Sequence, residues 1–139
     1  MSGPSARPLR ILCVDDSRLL AESLQRRLEH EPSFVWLGWV DRPEAAESAA
    51  MTLSPDIMLM DVDMPGVDTF ALVEHLSLTY PDVRIVMFSG HAQPAFVERA
   101  FDCGAWGYLS KNDDTAALID GIRRVGAGAV VLSNDVKLS

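Results

Sequence analysis

The sequence predicts an α/β fold in which five βα units form a doubly wound, five-stranded parallel sheet with helices on both faces. Short apolar runs alternate with amphipathic stretches along the chain, which is the pattern of consecutive βα units. The run at residues 56–60 is nearly all apolar, as expected of a strand that is buried on both faces. Proline or glycine stands at most of the junctions between runs, where the chain must turn.

The strands are predicted from short runs of mostly apolar residues, each bounded by residues that favour turns. The first run closes on Val14 and the third on Met60, and both are followed directly by aspartate. The five predicted strands span residues 10–14, 34–40, 56–60, 84–88 and 106–110.

The helices are predicted from amphipathic spacing and from residues that start or stop a helix. Ser17 can cap the first helix, in which leucines recur at four-residue spacing. Pro43 suits the first turn of the second helix, and Gly104 suits the end of the fourth. The five helices are expected between Ser17 and Pro32, at residues 42–53, between Gly66 and Pro81, at residues 94–102 and at residues 113–125.

Length and composition restrict the class of protein. A chain of 139 residues has room for one domain, and its net charge of −8 argues against binding nucleic acid through phosphates. No apolar stretch reaches the roughly 18 residues of a membrane span, and the first residues lack a signal-peptide core. Two cysteines without metal-binding spacing fit a reduced protein, so a cytoplasmic location is predicted. Residues 1–8 are predicted to be a disordered tail or an expression remnant, and residues 9–126 to be the domain.

Charged side chains follow three of the predicted strands. Asp15 and Asp16 follow the first strand, Asp61 the third and Lys111 the fifth. The carboxyl ends of parallel strands meet at one edge of the sheet, where α/β proteins of this kind bind ligands. Three carboxylates at that edge repel one another unless a cation lies among them or their pKa values rise. Oxygen ligands suit Mg²⁺, and Mg²⁺ pairs with phosphate, so this edge is predicted to handle a phosphoryl group.

Each of these residues suggests a role in phosphoryl chemistry. Asp61 is the candidate nucleophile, because a carboxylate can attack phosphorus and form an acyl phosphate. Asp15 and Asp16 are candidate Mg²⁺ ligands. Lys111 would add positive charge at the phosphoryl group, and Ser89, which follows the fourth strand, would add a hydrogen bond. Any one of them alone is more often a helix cap, a turn residue or a solvated charge. Their joint occurrence at the strand ends indicates a site.

Four short motifs contain these residues, namely Val14-Asp15-Asp16-Ser17, Asp61-Val62-Asp63-Met64-Pro65-Gly66, Phe88-Ser89-Gly90 and Gly104-Ala105-Trp106-Gly107-Tyr108-Leu109-Ser110-Lys111. With them, the chain resembles the receiver domains of two-component response regulators over about residues 9–126. The last motif is similar to that of the NarL/LuxR-type subfamily. The resemblance implies a flavodoxin-like (βα)5 fold with strand order 2-1-3-4-5.

The resemblance also implies how the site works. Asp61 would accept a phosphoryl group from the phosphohistidine of a histidine kinase or of a phosphotransfer protein. Mg²⁺ would be held by Asp15, Asp16, Asp61 and the backbone carbonyl of Asp63. Such a protein is a signalling switch rather than an enzyme, apart from its own phosphotransfer and slow autodephosphorylation.

Signal output is implied by the resemblance as well. Ser89 and Tyr108 fall at the positions of the family's switch hydroxyl and switch aromatic. Activation could produce a homodimer, and the output would be transcriptional. Contact with DNA would occur only through a helix-turn-helix effector domain that this chain does not contain, and contact with a membrane is not expected. Residues 127–139 would then be a linker towards that effector domain.

Three local features raise further expectations. Thr69 follows Asp68 where the family commonly has glycine, and β-branched residues tolerate positive φ poorly, so an altered loop is expected before the third helix. Asn112 follows Lys111 where many receivers have proline. Trp36 and Trp39 are an odd number of residues apart, which predicts opposite faces of the second strand.

Two other functions remain open at this point. A pseudo-receiver would signal without phosphorylation, and the Thr69 departure leaves room for one. A haloacid-dehalogenase-type phosphohydrolase needs two acids separated by one residue, which Asp61 and Asp63 provide. In that class, however, the nucleophile follows the first strand, and Asp15 and Asp16 would have no role. A nucleotide-binding module is disfavoured, since no glycine-rich loop follows the first strand.

Overall fold

The computed structural model describes residues 7–64, 66, 68–90 and 93–133. Its strands are β1 (Leu9–Val14), β2 (Phe34–Val40), β3 (Ile57–Asp61), β4 (Arg84–Ser89), β5 (Gly107–Ser110) and β6 (Val131–Leu132). Its helices are α1 (Arg18–Leu28), α2 (Glu44–Leu53), α3 (Thr69–Thr79), α4 (Pro94–Asp102) and α5 (Thr115–Gly126). All strand pairs are parallel, in the order β2-β1-β3-β4-β5-β6. In the described ranges, no helix is both long and apolar enough to cross a membrane.

The central strands are buried on both faces, and alternate residues enter two separate hydrophobic clusters, as the pleat of a strand requires. One cluster packs against α2, α3 and α4 and includes Leu12, Met58, Met60, Ile85, Met87 and Tyr108. The other packs against α1 and α5 and includes Ile11, Cys13, Ile57, Leu59, Val86, Phe88 and Leu109. The predicted doubly wound arrangement is therefore confirmed, with three helices on one face and two on the other.

Side-chain caps begin several helices at the carboxyl edge of the sheet. The Ser17 hydroxyl accepts a hydrogen bond from the Leu20 amide at 3.2 Å, which confirms the predicted cap of α1. Asp114 caps α5 through the amide of Ala117 at 2.8 Å. Because Asp114 has extended backbone as the cap, α5 begins at Thr115, two residues later than predicted.

The predicted count of five strands is wrong by one, because β6 extends the sheet beyond β5. Val131 pairs with Gly107 and Leu132 with Tyr108, and Val131 is buried. A two-residue strand is too short to show alternation, and the glycines that precede it suggest a linker. The proposed linker, residues 127–139, thus contains a strand of the sheet, and its last part, residues 134–139, lies outside the described residues, as do residues 1–6 of the predicted tail.

The two tryptophans of β2 lie on the same face, so the prediction of opposite faces is wrong. Ile11 pairs with Trp36, but the next residue, Leu12, pairs with Gly38, which leaves one extra residue in β2. This irregularity shifts the alternation by one position. Trp36 and Trp39 consequently both pack against the cluster on the α1 and α5 face.

Candidate functional site

Three carboxylates meet at the carboxyl edge of the sheet because β1 and β3 are direct neighbours. Val14 pairs with Met60, so the residues that follow them in the chain lie side by side. One carboxylate oxygen from each of Asp15, Asp16 and Asp61 lies within 4.8 Å of the other two. Asp15 and Asp61 are almost completely buried, whereas Asp16 is exposed. The cluster is therefore open to solvent on the Asp16 side.

Lys111 supplies the positive charge of the site. Its Nζ atom lies 3.1 Å from Oδ1 of Asp61 and 3.5 Å from Oδ2 of Asp15. The register of β4 and β5 places it there, because Ser89 pairs with Ser110 and the Lys111 amide donates to the Ser89 carbonyl at 2.8 Å. The lysine side chain is 26% exposed, so it is only partly shielded from water.

Burial sets the electrostatics of the cluster. Burial and the charge of Asp15 raise the pKa of Asp61 from 3.8 to about 6, although Lys111 acts in the opposite direction. Burial also raises the pKa of Asp15, against the hydrogen bond from the Ser17 amide and the charge of Lys111. Burial lowers the pKa of Lys111, but the charges of Asp61 and Asp15 outweigh it, so that this pKa is raised. Since the pKa values of both buried aspartates are raised despite the lysine, Lys111 only partly offsets the cost of burying their negative charges.

Backbone amides of the adjoining loops orient the two buried carboxylates. The Ser17 amide donates to Oδ1 of Asp15 at 2.8 Å, and the Asp63 amide donates to Oδ1 of Asp61 at 3.2 Å. These bonds hold each side chain in one orientation. The Asp63 side chain itself is exposed.

The loop between β3 and α3 accommodates Thr69 without strain. Thr69 is the first residue of α3, and the Asp68 carboxylate caps the helix through the Ala71 amide at 3.2 Å. Among the described residues of this loop, a positive φ of +78° occurs at Gly66. Among the described residues, Ser54 is the only residue other than glycine with positive φ. Thr69 therefore lies at a position with helical backbone, where a β-branched residue needs no positive φ.

Ser89 and Tyr108, the two predicted switch residues, lie next to each other on the neighbouring strands β4 and β5. Ser89 is 2% exposed and Tyr108 is fully buried in the cluster on the α3 and α4 face. Burial raises the pKa of the Tyr108 hydroxyl, and a side-chain hydrogen bond with Ser89 acts in the opposite direction. Gly90 follows Ser89, and a Cβ atom at Gly90 would meet no atom within 4 Å, so this corner of the site is open.

Sequence reasoning did not identify Trp39 as part of the site. Its indole Nε1–H donates to the backbone carbonyl of Asp15 at 2.6 Å. The alternation of an ideal strand would have directed this side chain to the other face, and the irregularity between Trp36 and Gly38 directs it here. The structure brings five of the predicted site residues to the same edge of the sheet, namely Asp15, Asp16, Asp61, Ser89 and Lys111.

The donor set fits a magnesium ion. Three carboxylates that converge within 4.8 Å offer hard oxygen ligands, and the exposed side of the cluster leaves space for the waters that Mg²⁺ retains. The fourth group predicted to hold the ion is the carbonyl of Asp63, which lies in the loop directly after Asp61. The amide of Asp63 donates a hydrogen bond to the Asp61 carboxylate, so the two residues are in contact.

Comparison with known proteins decides the family. The model of the protein family described as "response regulator receiver domain" matches residues 11–123 of this chain. The chain belongs to this family. As a receiver domain it is a part of two-component signal transduction, and its relatives include transcriptional regulators.

The matches agree with the NarL/LuxR-type resemblance, since they include solved structures described as a LuxR-family regulator and as the putative response regulator NarL. Transcriptional regulatory protein DegU of Brevibacillus brevis is 32% identical over 124 residues, which are 89% of this chain and 52% of DegU. Response regulator GacA of Pseudomonas viridiflava is 31% identical over 128 residues, 92% of this chain and 60% of GacA. The receiver thus spans between half and two thirds of the length of these relatives.

A solved structure supports the same assignment. A two-component response regulator of the LuxR family from Aurantimonas sp. SI85-9A1 superposes with a TM-score of 0.88 at 30% identity. The superposition covers 93% of this chain and 92% of that one. The predicted receiver fold is confirmed, with the additional strand β6 described above.

Proposed function

We propose that this receiver is phosphorylated on Asp61 by a histidine kinase or a phosphotransfer protein, with Mg²⁺, and relays the signal to a transcriptional output. The observation that carries the proposal is the position of the Lys111 ammonium group, 3.1 Å from Asp61 and 3.5 Å from Asp15. A structural ion pair needs one carboxylate for one ammonium group. Three carboxylates around one lysine instead suit a site that receives further positive charge and then a phosphoryl group.

The phosphoryl step uses groups that the structure brings together. A carboxylate oxygen of Asp61 forms a bond to phosphorus while the bond from phosphorus to the donor histidine nitrogen breaks, and the electron pair stays on that nitrogen. Lys111 balances negative charge on the phosphoryl oxygens, and the Ser89 hydroxyl can donate to one of them. The open space at Gly90 admits the donor.

Asp15, Asp16 and Asp61, with the Asp63 carbonyl, are the groups that would hold Mg²⁺. The ion would supply positive charge at the phosphoryl oxygens when bound. The chain's own contribution is orientation. Amides of Ser17 and Asp63 hold Asp15 and Asp61 in place before any ligand arrives.

Signal output would begin at Ser89 and Tyr108. A phosphoryl group on Asp61 adds charge and acceptor oxygens near the Ser89 hydroxyl. If Ser89 turns towards them, it leaves its hydrogen bond with Tyr108, and the surface of α4, β5 and α5 can adopt a second arrangement. This surface is a candidate for homodimer formation, and DNA would be reached only through an effector domain.

Mass spectrometry after treatment with acetyl phosphate and Mg²⁺ tests the proposal. We expect one phosphoryl group per chain on wild type and none on Asp61→Asn. Asp82→Asn, which changes an exposed aspartate remote from the site, is the matched control and should be phosphorylated like wild type. Wild type that stays unmodified by acetyl phosphate and insensitive to beryllofluoride would indicate a pseudo-receiver. Rapid turnover of a phosphate ester would indicate a phosphohydrolase.

A further inference from the structure

Ser133 is buried at the point where the C-terminal segment passes the loop that carries Lys111. It is 7% exposed and directly follows β6. Its amide donates to the Tyr108 carbonyl at 3.1 Å, which continues the pairing of β6 with β5 by one residue. Its hydroxyl therefore faces the carboxyl end of β5 rather than solvent.

The Ser133 hydroxyl holds two residues that flank Lys111. It accepts a hydrogen bond from the Ser110 amide at 2.9 Å and donates one to the Asp113 carboxylate. The strand β6 ends at Leu132. The hydroxyl of Ser133, the next residue, is therefore a side-chain acceptor for an amide of β5 just beyond the end of the paired strand. Loss of the hydroxyl would remove an acceptor from the buried Ser110 amide, at a cost in free energy.

The loop after β5 closes on the same residues. The Asn112 amide donates to the Ser110 hydroxyl at 3.0 Å, a bond that proline at this position could not make. The Asp113 amide donates to the Ser110 carbonyl at 3.2 Å, and Arg27 of α1 donates to the Asp113 carbonyl at 3.1 Å. The backbone on both sides of Lys111 is thus tied down, and Ser133 contacts both sides at once.

We propose that Ser133 is a positioning residue for Lys111, so that the first residues of the C-terminal segment belong to the phosphorylation site. The inference rests on the proposed function, in which Lys111 contacts the phosphoryl group. A lysine side chain has four rotatable bonds, and its ammonium group reaches Asp61 only if its own backbone is fixed. A loop displaced by about 1 Å can reduce the rate of a reaction up to a hundredfold, because the reacting groups lose their alignment.

The test compares Ser133→Ala with Ser133→Thr, which keeps the hydroxyl, and with Ser33→Ala as a matched control. Ser33 donates its hydroxyl to Glu31 in the loop before β2, at the opposite edge of the sheet. We expect Ser133→Ala to slow phosphorylation by acetyl phosphate and to weaken beryllofluoride binding by about tenfold each. Mg²⁺ affinity should stay within about twofold, because Lys111 is not a ligand of the ion. Ser133→Thr and Ser33→Ala should behave like wild type.

A double-mutant cycle separates positioning from a general loss of stability. In a Lys111→Ala background, Ser133→Ala should have no further effect on phosphorylation, because the residue through which it acts is gone.

Hydrogen exchange gives a readout that needs neither metal nor phosphate. The Ser110 amide should exchange at least about fivefold faster in Ser133→Ala than in wild type, and its exchange rate should be unchanged in Ser33→Ala. Asp113→Ala removes the other partner of the hydroxyl, and should reproduce the effect if Ser133→Ala does not fold.

The outcomes distinguish the two proposals. If wild type is phosphorylated and Ser133→Ala matches it in rate and in beryllofluoride binding, the role of Ser133 is refuted while the receiver function stands. Equal losses in the Lys111→Ala and wild-type backgrounds would also refute it, since Ser133 would then act by another route. If wild type itself takes up no phosphoryl group, the proposed function fails first. The Ser110 exchange measurement still reports whether Ser133 fixes the loop.

Discussion

The indole nitrogen of Trp39 donates a hydrogen bond to the backbone carbonyl of Asp15 across 2.6 Å. This bond joins the edge strand β2 to the turn that presents two of the three carboxylates. Trp39 is partly buried and packs against the hydrophobic cluster on the α1 and α5 face, which holds the ring that makes this bond. The edge strand therefore helps to hold the acidic turn in place.

Trp39 should report Mg²⁺ binding through its fluorescence. An ion held by Asp15 and Asp16 would change the field at the Asp15 carbonyl, to which the indole is bonded. We expect a saturable change in emission during a Mg²⁺ titration that disappears in Trp39→Phe. Trp36→Phe is the control, since Trp36 lies farther down the same strand and should leave the change intact. A full response in Trp39→Phe would show that another tryptophan senses the ion.

Asp61→Asn should stabilise the metal-free protein. The pKa of Asp61 is raised from 3.8 to about 6, so its charged form is disfavoured in the folded state at neutral pH. The neutral amide removes this penalty, with an expected gain on the order of 2 kcal/mol in the free energy of unfolding. Urea unfolding at pH 7.5 with EDTA measures it. Asp82→Asn should change stability by less than about 0.5 kcal/mol, and a gain as large there would point to net charge instead.

The gain from Asp61→Asn should depend on pH in a defined window. Below pH 3.8 the carboxyl group is protonated in both the folded and the unfolded chain, and no penalty exists. Between pH 3.8 and about 6 the folded chain holds this proton more tightly, so the contribution of Asp61 to stability falls as pH rises. Above about pH 6 the full penalty is present. The difference in unfolding free energy between variant and wild type should grow from pH 4.5 to 7 and then level off. A constant difference would rule out this titration as its cause.

Tyr108→Phe should separate phosphorylation from its readout. The substitution removes the hydroxyl that bonds to Ser89 but keeps a ring in a fully buried position, at a cost of about 1 kcal/mol in stability. Beryllofluoride should bind as it does to wild type. The change in hydrogen exchange that it produces in α4 and α5 should become smaller. An undiminished change in Tyr108→Phe and in Tyr108→Ala would mean that Tyr108 is a core residue without a switch role.

The main features of fold and site could be predicted because each depends on a local rule. Strands buried on both faces are nearly all apolar, and parallel strands end at one edge, which is enough to bring Asp15, Asp61 and Lys111 together. The side on which Trp39 lies depends on one extra residue in β2, and a strand's alternation does not reveal such an irregularity. Strand β6, which precedes Ser133, has two residues. It forms because it pairs with β5, and two residues carry no alternation from which it could be predicted.

The strand β6 also determines where the described part of the chain ends. Helix α5 runs back along the sheet and ends near the start of β1, where Gly126 lies against Leu9. Because β6 is parallel to β5, the chain returns from there to the opposite side and emerges beside Asp113. The residues after Ser133 therefore begin at the edge of the sheet that holds Asp61, so that a change at this carboxylate occurs close to whatever follows β6.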